Sequence, residues 1–258
     1  MNEPLLLLAN VGNTHTTLAL YRAGRIVRRT RLPTRAPGSA QRAALAALTR
    51  GRPIAGAALC SVVPARDAAW TRLLERAGAG RPHRVGPDSP LGIRVDVPRP
   101  AGVGADRLAN AAAAAARYGA PAIVVDCGTA TAVTLIARGR GFVGGAIAPG
   151  PALFYEYLAD RTARLPRLSA GGAIPPFGRT TVAAMRLGAE VGYPGMVRAL
   201  LEHLRRVPEF REARVVVTGG GGARLAAALG GSVILDRDLT LLGIGRIAER
   251  VVRGECRP

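Results

Sequence analysis

Several places in this chain combine residue types that can handle a phosphate group or the proton of a hydroxyl. Two are short turns closing apolar runs, Asn10-Val11-Gly12-Asn13, continued by Thr14-His15-Thr16, and Asp126-Cys127-Gly128-Thr129. Glycine lets the main chain approach an anion closely, and the N–H groups and hydroxyls of such turns sit where phosphate oxygens would bind. A third is Gly104-Ala105-Asp106-Arg107, which opens an Ala-rich segment. Its carboxylate can accept the proton of an attacking hydroxyl, beside a guanidinium able to hold an anion through paired hydrogen bonds. An aspartate at a helix start is also favoured by the free N–H groups and the dipole there, so Asp106 reads either as a general base or as a helix cap. A fourth is the run Gly219-Gly220-Gly221-Gly222, a strand-to-helix junction suited to a nucleoside or phosphate. Phosphoryl transfer needs chiefly such positioning and charge. The chain has no lysine, so a Walker-type loop ending in GK[ST] is excluded.

The elements that must position these residues repeat one plan. Apolar and alternating stretches predict strands over Leu5–Asn10, Thr16–Tyr21 and Ile26–Leu32, with turns at Gly12–Thr14 and Gly24. Helical patterns at Gln41–Thr49 and Asp67–Ala77 flank a strand at Gly56–Val63, and an Ala-rich helix covers Asp106–Tyr118. A second meander follows at Ala122–Asp126, Ala132–Ala137 and Phe142–Ile147, placing Asn10 to Asn13 on Asp126 to Thr129. Helical stretches are expected at Pro151–Ala163, Thr181–Leu187, Pro194–Arg206, Ala223–Leu229 and Leu241–Val252, with strands at Arg214–Thr218 and Ser232–Leu235. Residues Pro166–Gly178 read as a loop excursion. The expected fold is α/β, duplicated, with a half at residues 1–118 carrying the first turn and a half at 119–258 carrying the second turn and the Gly run. A ligand between two such halves would be clamped.

Composition narrows the function classes. With 258 residues, 48% hydrophobic, the chain can bury a full core. No apolar run approaches the roughly 20 residues of a bilayer span, and Leu5–Leu8, preceded by Glu3, is too short for a signal core, which predicts a cytoplasmic protein with no membrane partner. Cys60, Cys127 and Cys256 are far apart and offer neither a disulfide framework nor a zinc site. A net charge of +19 would ordinarily suggest a nucleic-acid partner. Here the arginines are scattered, apart from short clusters such as Arg28, Arg29 and Arg31, and aromatics at 4% give few stacking platforms. No nucleic-acid role is expected, and an anionic ligand such as ATP benefits from the field. His83 and His203 have no partner at ligand spacing, and Trp70 reads as a packing residue.

From end to end the chain resembles the type III pantothenate kinases of the actin/sugar-kinase superfold. The motifs are NVGNTH (Asn10–His15), SVVP (Ser61–Pro64), GADR (Gly104–Arg107), DCGT (Asp126–Thr129), GGAIAPG (Gly144–Gly150), TARLP (Thr162–Pro166), GRTT (Gly178–Thr181), GAEVGY (Gly188–Tyr193), VTGG (Val217–Gly220) and LTLLG (Leu239–Gly243). The resemblance implies two ribonuclease-H-like halves with a cleft between them. It also implies transfer of the ATP γ-phosphate to the primary hydroxyl of pantothenate, the first step of coenzyme A synthesis, by a homodimer using Mg2+ and a monovalent cation, K+ or NH4+. By the same resemblance Asp106 is the general base, Gly104, Ala105 and Arg107 form the pantothenate segment, and Thr181 contributes from the other side. Asn10, Val11, Gly12, Asn13, Thr14, His15 and Thr16 form the first phosphate turn, Thr129 contacts ATP together with Gly219 and Gly220, and Asp126 holds the monovalent cation. Three positions depart from the family pattern: Asn10 stands for Asp, Val97 for an aromatic on the substrate side, and Thr180 for Asn. Those departures leave open a homologue that binds nucleotide or pantothenate without turnover, and a kinase for another hydroxyl substrate is a further alternative.

Overall fold

A computed structural model describes residues 3–231 and 233–255; Ser232, where the expected last strand begins, and Cys256 lie outside them. The first meander consists of β1 (Leu6–Val11), β2 (His15–Arg22) and β3 (Arg25–Pro33), all antiparallel. The helix α1 (Gly38–Thr49) then leads to β4 (Gly56–Ser61), which pairs in parallel with β1, and α2 (Pro64–Leu74) leads to the short β5 (His83–Arg84), in the order β3-β2-β1-β4-β5. The central strand β1 is apolar throughout its buried length because helices cover both faces of a sheet fed by crossovers. At the edge, β3 alternates, with Arg25, Val27, Arg29 and Arg31 exposed, as a strand with one face in water must.

The helix α3 (Ala105–Tyr118) precedes the second meander, β6 (Ala122–Cys127), β7 (Ala130–Ala137) and β8 (Gly141–Pro149). Next come α4 (Leu153–Arg161), α5 (Thr181–Arg205), β9 (Arg214–Thr218), α6 (Gly222–Leu229), β10 (Ile234–Leu235) and α7 (Leu239–Val252). The sheet order is β10-β9-β6-β7-β8, with β9 parallel to β6. The duplication is close: β1 and β6 share the same alternation of burial, residue for residue, and the two meanders have strands of 6, 8 and 9 residues each.

Two helical stretches were expected around Pro194, but α5 runs unbroken through it. An interior proline removes one helical hydrogen bond and costs about 3 kcal/mol in isolation. Here Tyr193 and Pro194 are both buried, and tertiary packing outweighs the local penalty. Packing divides the chain into two compact units. One comprises the described residues up to Gly119, Arg138–Gly144, and those from Asp238 onward; the other comprises Ala120–Ala137 and Gly145–Arg237. In the first unit α7 lies along the alanine face of α3, where Thr240 Oγ1 donates to Asn110 Oδ1 at 2.7 Å. The alanine run is thus a packing surface, as read from sequence. Trp70 is fully buried in the same unit's core with Leu7, Leu18, Leu20, Leu59 and Leu74.

Candidate active site

In the first unit the strand ends shape the Asn10 turn. Val11 pairs with Thr16, so residues 12–15 form the loop, and the Gly12 N–H donates to the His15 carbonyl at 3.0 Å. Asn13, Thr14 and His15 are exposed, whereas Thr16 is fully buried. The Thr16 hydroxyl is 3.1 Å from that of Thr34, which donates to the Gly12 carbonyl at 2.6 Å, while the Thr34 N–H bonds to Thr14 O at 3.0 Å. Thr34 therefore anchors the turn from beneath. Partial burial, with the charge of Arg31, lowers the pKa of His15, leaving a neutral imidazole near pH 7.

The end of β4 connects this turn to the acidic segment. Val62 N–H donates to Val11 O at 3.1 Å, and the Val62 side chain lies against Gly104. Gly104 is the N-cap of α3, so Asp106 stands inside the first helical turn and is not the cap. Its Oδ1 accepts the Arg107 N–H at 2.8 Å. Desolvation raises the Asp106 pKa above the usual carboxylate range, opposed by that N–H and by the Arg107 charge. The Arg107 guanidinium lies over Phe142, 5.1 Å from the ring centre, and donates to Gly144 O at 3.2 Å. Phe142 in turn exchanges main-chain hydrogen bonds with Arg94 and Asp96, so half-buried Val97 follows directly on the segment fixed to Phe142. The unit thus links Asn10–Thr16, Gly104–Arg107 and Val97 through shared neighbours.

In the second unit Cys127 pairs with Thr131, leaving three residues, 128–130, in a loop one residue shorter than its counterpart. Main chain encloses this turn from two sides. A Cβ on Gly219, whose φ is +85°, would fall 2.4 Å from Asp126 Oδ1, and one on Gly150 would fall 2.2 Å from Thr129 O. Only glycine permits both approaches. Gly221 N–H completes the contact by donating to Cys127 O at 3.0 Å. The buried Thr131 hydroxyl repeats the role of Thr16: it donates to Pro149 O at 3.1 Å and lies 2.9 Å from the Tyr193 hydroxyl, which also hydrogen-bonds the Cys127 thiol. Burial pushes that thiol up to about 11, so it stays protonated and is a poor metal ligand. Asp126, Thr129, Gly219 and Gly220 therefore share one locale. Thr181 does not join them: it begins α5, twelve residues or about 18 Å of helix before Tyr193. Thr180 caps α5, its hydroxyl accepting the Ala183 N–H at 3.2 Å.

The sequence profile of the type III pantothenate kinases matches residues 6–203. The chain belongs to that family. A type III pantothenate kinase of Methylacidiphilum infernorum is 34% identical, over 96% of this chain and 89% of its own, and one of Thermomicrobium roseum is 35% identical, over 96% and 98%. The fold is that of the actin/sugar-kinase superfold: MreB5 of Spiroplasma citri, solved bound to AMPPNP, superposes with a TM-score of 0.52 at 11% identity, over 97% of this chain and 98% of the other.

Reading the sequence as a pantothenate kinase still left Thr34 and Tyr193 without roles. Thr34 follows Pro33 as Gly150 follows Pro149, so extending the alignment of the two meanders past their third strands would have located it. Tyr193 lies inside the GAEVGY motif, but its partner Thr131 is 62 residues away and leaves no local signal.

Proposed function

We propose that the chain transfers the γ-phosphoryl group of ATP to the primary hydroxyl of pantothenate. The observation that carries this reading is Asp106, a carboxylate in the first turn of α3 whose proton affinity is raised by burial, beside Arg107 and linked through Val62 to the Asn10 turn. A base poised above the ordinary carboxylate range matches proton removal from a hydroxyl better than a fully solvated one would. In this reading Asp106 takes the hydroxyl proton, and Gly104, Ala105 and Arg107 orient pantothenate, with Val97 and Thr181 as further contacts. The turn residues Asn10–Thr16, with Thr129, Gly219 and Gly220, hold the phosphates.

The site's oxygen-rich donors suit hard cations. Asp126 has a carboxylate and the neighbouring turn has main-chain carbonyls, while the Cys127 thiol stays protonated. Asp126 would hold the monovalent cation, K+ or NH4+, and the Asn10 amide oxygen would face the water shell of Mg2+. When bound, magnesium neutralises charge on the phosphate oxygens. A homodimer is supported by large apolar side chains left exposed in the second unit, Ile147, Tyr157, Phe177 and Val191 among them. A cytoplasmic location is supported by the absence, among the described residues, of any helix long and apolar enough to cross a membrane.

Purified protein supplied with ATP, magnesium, a potassium or ammonium salt and pantothenate should form ADP and phosphopantothenate in equal amounts. Folded protein without turnover under either cation would overturn the reading. That outcome, with nucleotide or pantothenate binding retained, is what a purely binding homologue predicts, the alternative that Asn10 favours.

A further inference from the structure

The arginines clustered on β3 are not alike. Arg28 stands opposite Leu20 on the core side of the sheet, and Arg29 is ion-paired with Asp238, the residue before α7. Arg31 is exposed and, among the described residues, has neither an acidic nor a hydrogen-bonding partner. Its guanidinium is always charged, so it is an uncommitted cation, and its place in the sheet decides what it can meet. Asn10 of β1 stands opposite Thr17 of β2, and Thr17 stands opposite Arg31. Side chains opposite one another share a face, so the three form one row. That face is the one covered by α7: Tyr21, on the same side of β2 as Thr17, donates its hydroxyl proton to Glu249 of α7 at 2.8 Å. Helix α3, which carries Asp106, packs against α7 there.

Two strand spacings of about 4.8 Å separate Arg31 from Asn10, a span that an extended arginine can lean across to meet a group held over the turn. The turn brings no cation of its own: Asn10, Asn13 and Thr14 are neutral, and burial, with the nearby charge of Arg31, keeps His15 neutral near pH 7. The chain has no lysine to serve instead. We infer that Arg31 is a further residue of the phosphoryl-transfer site, its guanidinium pairing with oxygens of the terminal phosphate over the Asn10 turn. The inference rests on the proposal that ATP is the phosphoryl donor. The terminal phosphate is singled out because the turn is linked through Val62 to Gly104, beside Asp106, so a phosphate held there faces the acceptor hydroxyl. During transfer the bond from phosphorus to the ADP oxygen breaks, a bond to the acceptor oxygen forms and the acceptor proton passes to Asp106. Arg31 exchanges no proton and offsets charge on the three equatorial oxygens.

Calorimetric binding of ADP and of AMPPNP, an ATP analogue that does not transfer its terminal phosphate, tests this in the full chain, with turnover measured alongside. The proteins compared are wild type, Arg31→Gln, Arg31→Lys and Arg25→Gln; Arg25 is exposed at the far end of β3, so its loss removes the same net charge. Arg31→Gln should lower turnover at least about a hundredfold, as loss of one donor aimed at the reacting group does, and weaken AMPPNP at least about fivefold while ADP stays within about twofold. Arg31→Lys keeps the charge without the fork and should fall between. Arg25→Gln should match wild type. Equal weakening of ADP and AMPPNP in Arg31→Gln, or losses as large in Arg25→Gln, would mark a general field or a loosened strand and overturn the inference. So would full turnover by Arg31→Gln while wild type phosphorylates pantothenate, in which case the proposed function stands. If folded wild type makes no phosphopantothenate, the proposed function falls and this inference with it.

Discussion

Asp106 concentrates the conflict between stability and chemistry in one side chain. Because burial raises its pKa, the native state holds the Asp106 proton more tightly than the unfolded chain does. The resulting stabilisation is fully present below the ordinary carboxylate pKa of about 4 and is lost as pH rises through the higher folded value. Asp106→Asn should therefore melt higher than wild type at pH 7, and the difference should vanish in acid. The same substitution should lower turnover by at least about a hundredfold with little change in ATP affinity, and the wild-type rate should climb with pH through the raised pKa. Unchanged turnover would show that Asp106 serves only the helix. Asn10 poses a separate question, one of charge. Two unit charges about 4 Å apart interact by roughly 4 kcal/mol at an effective dielectric near 20, and by about 1 kcal/mol in water. A carboxylate at position 10 acting across the water shell of magnesium is nearer the second case, so Asn10→Asp should bring half-saturation by magnesium to a several-fold lower concentration. An identical magnesium titration for both proteins would remove the charge from consideration. The types and spacing of Asp106, Asn10 and Asp126 were visible in the sequence because they stand at strand or helix ends, which local patterns mark. The burial that tunes Asp106 was not, since it depends on packing from distant segments.

At the scale of elements, each of the two turns proposed to hold phosphate is braced by a hydroxyl strut that local sequence does not announce. Thr16 and Thr34 brace the first turn; Thr131 and Tyr193 brace the second. Thr34→Val would leave the Gly12 carbonyl and the Thr16 hydroxyl without their partner, a loss of about 1–3 kcal/mol measurable by denaturant titration. Because Gly12 belongs to a turn proposed to hold phosphate, KM for ATP should rise while that for pantothenate stays near its wild-type value. Equal increases for both substrates would indicate general loosening of the unit. The hairpins and their duplication could be read from alternating apolar residues, since strand period and turn glycines are local properties. Two elements could not. The sequence pattern divides α5 into Thr181–Leu187 and Pro194–Arg206, whereas packing of Tyr193 and Pro194 overrides the proline penalty and joins them, and the two-residue β5 is too short to carry a period.

For the whole molecule, the question is what covers the apolar side chains of the second unit. Ile147 is 69% exposed on β8, the edge strand of its sheet, and Phe177 is 62% exposed in the loop before α5. Edge strands are usually protected by charge, proline or a covering element; β8 is bridged by the Arg94–Asp96 main chain at Phe142, but toward its far end, where Ile147 stands, it has only Pro149. The contrast with β3 is informative: the other outer meander strand is lined with arginine and needs no cover. A second copy of the chain is the covering partner that the proposed homodimer supplies. Ile147→Glu would place a charge in that contact, where its partnerless burial is costly. Sedimentation equilibrium at micromolar concentration should then give twice the chain mass for wild type and the single-chain mass for the variant. Melting of the isolated chain should be little altered, because Ile147 contributes little to the chain's own core. Wild type sedimenting as a single chain would mean that β8 stays open to solvent, and the homodimer would have to be abandoned.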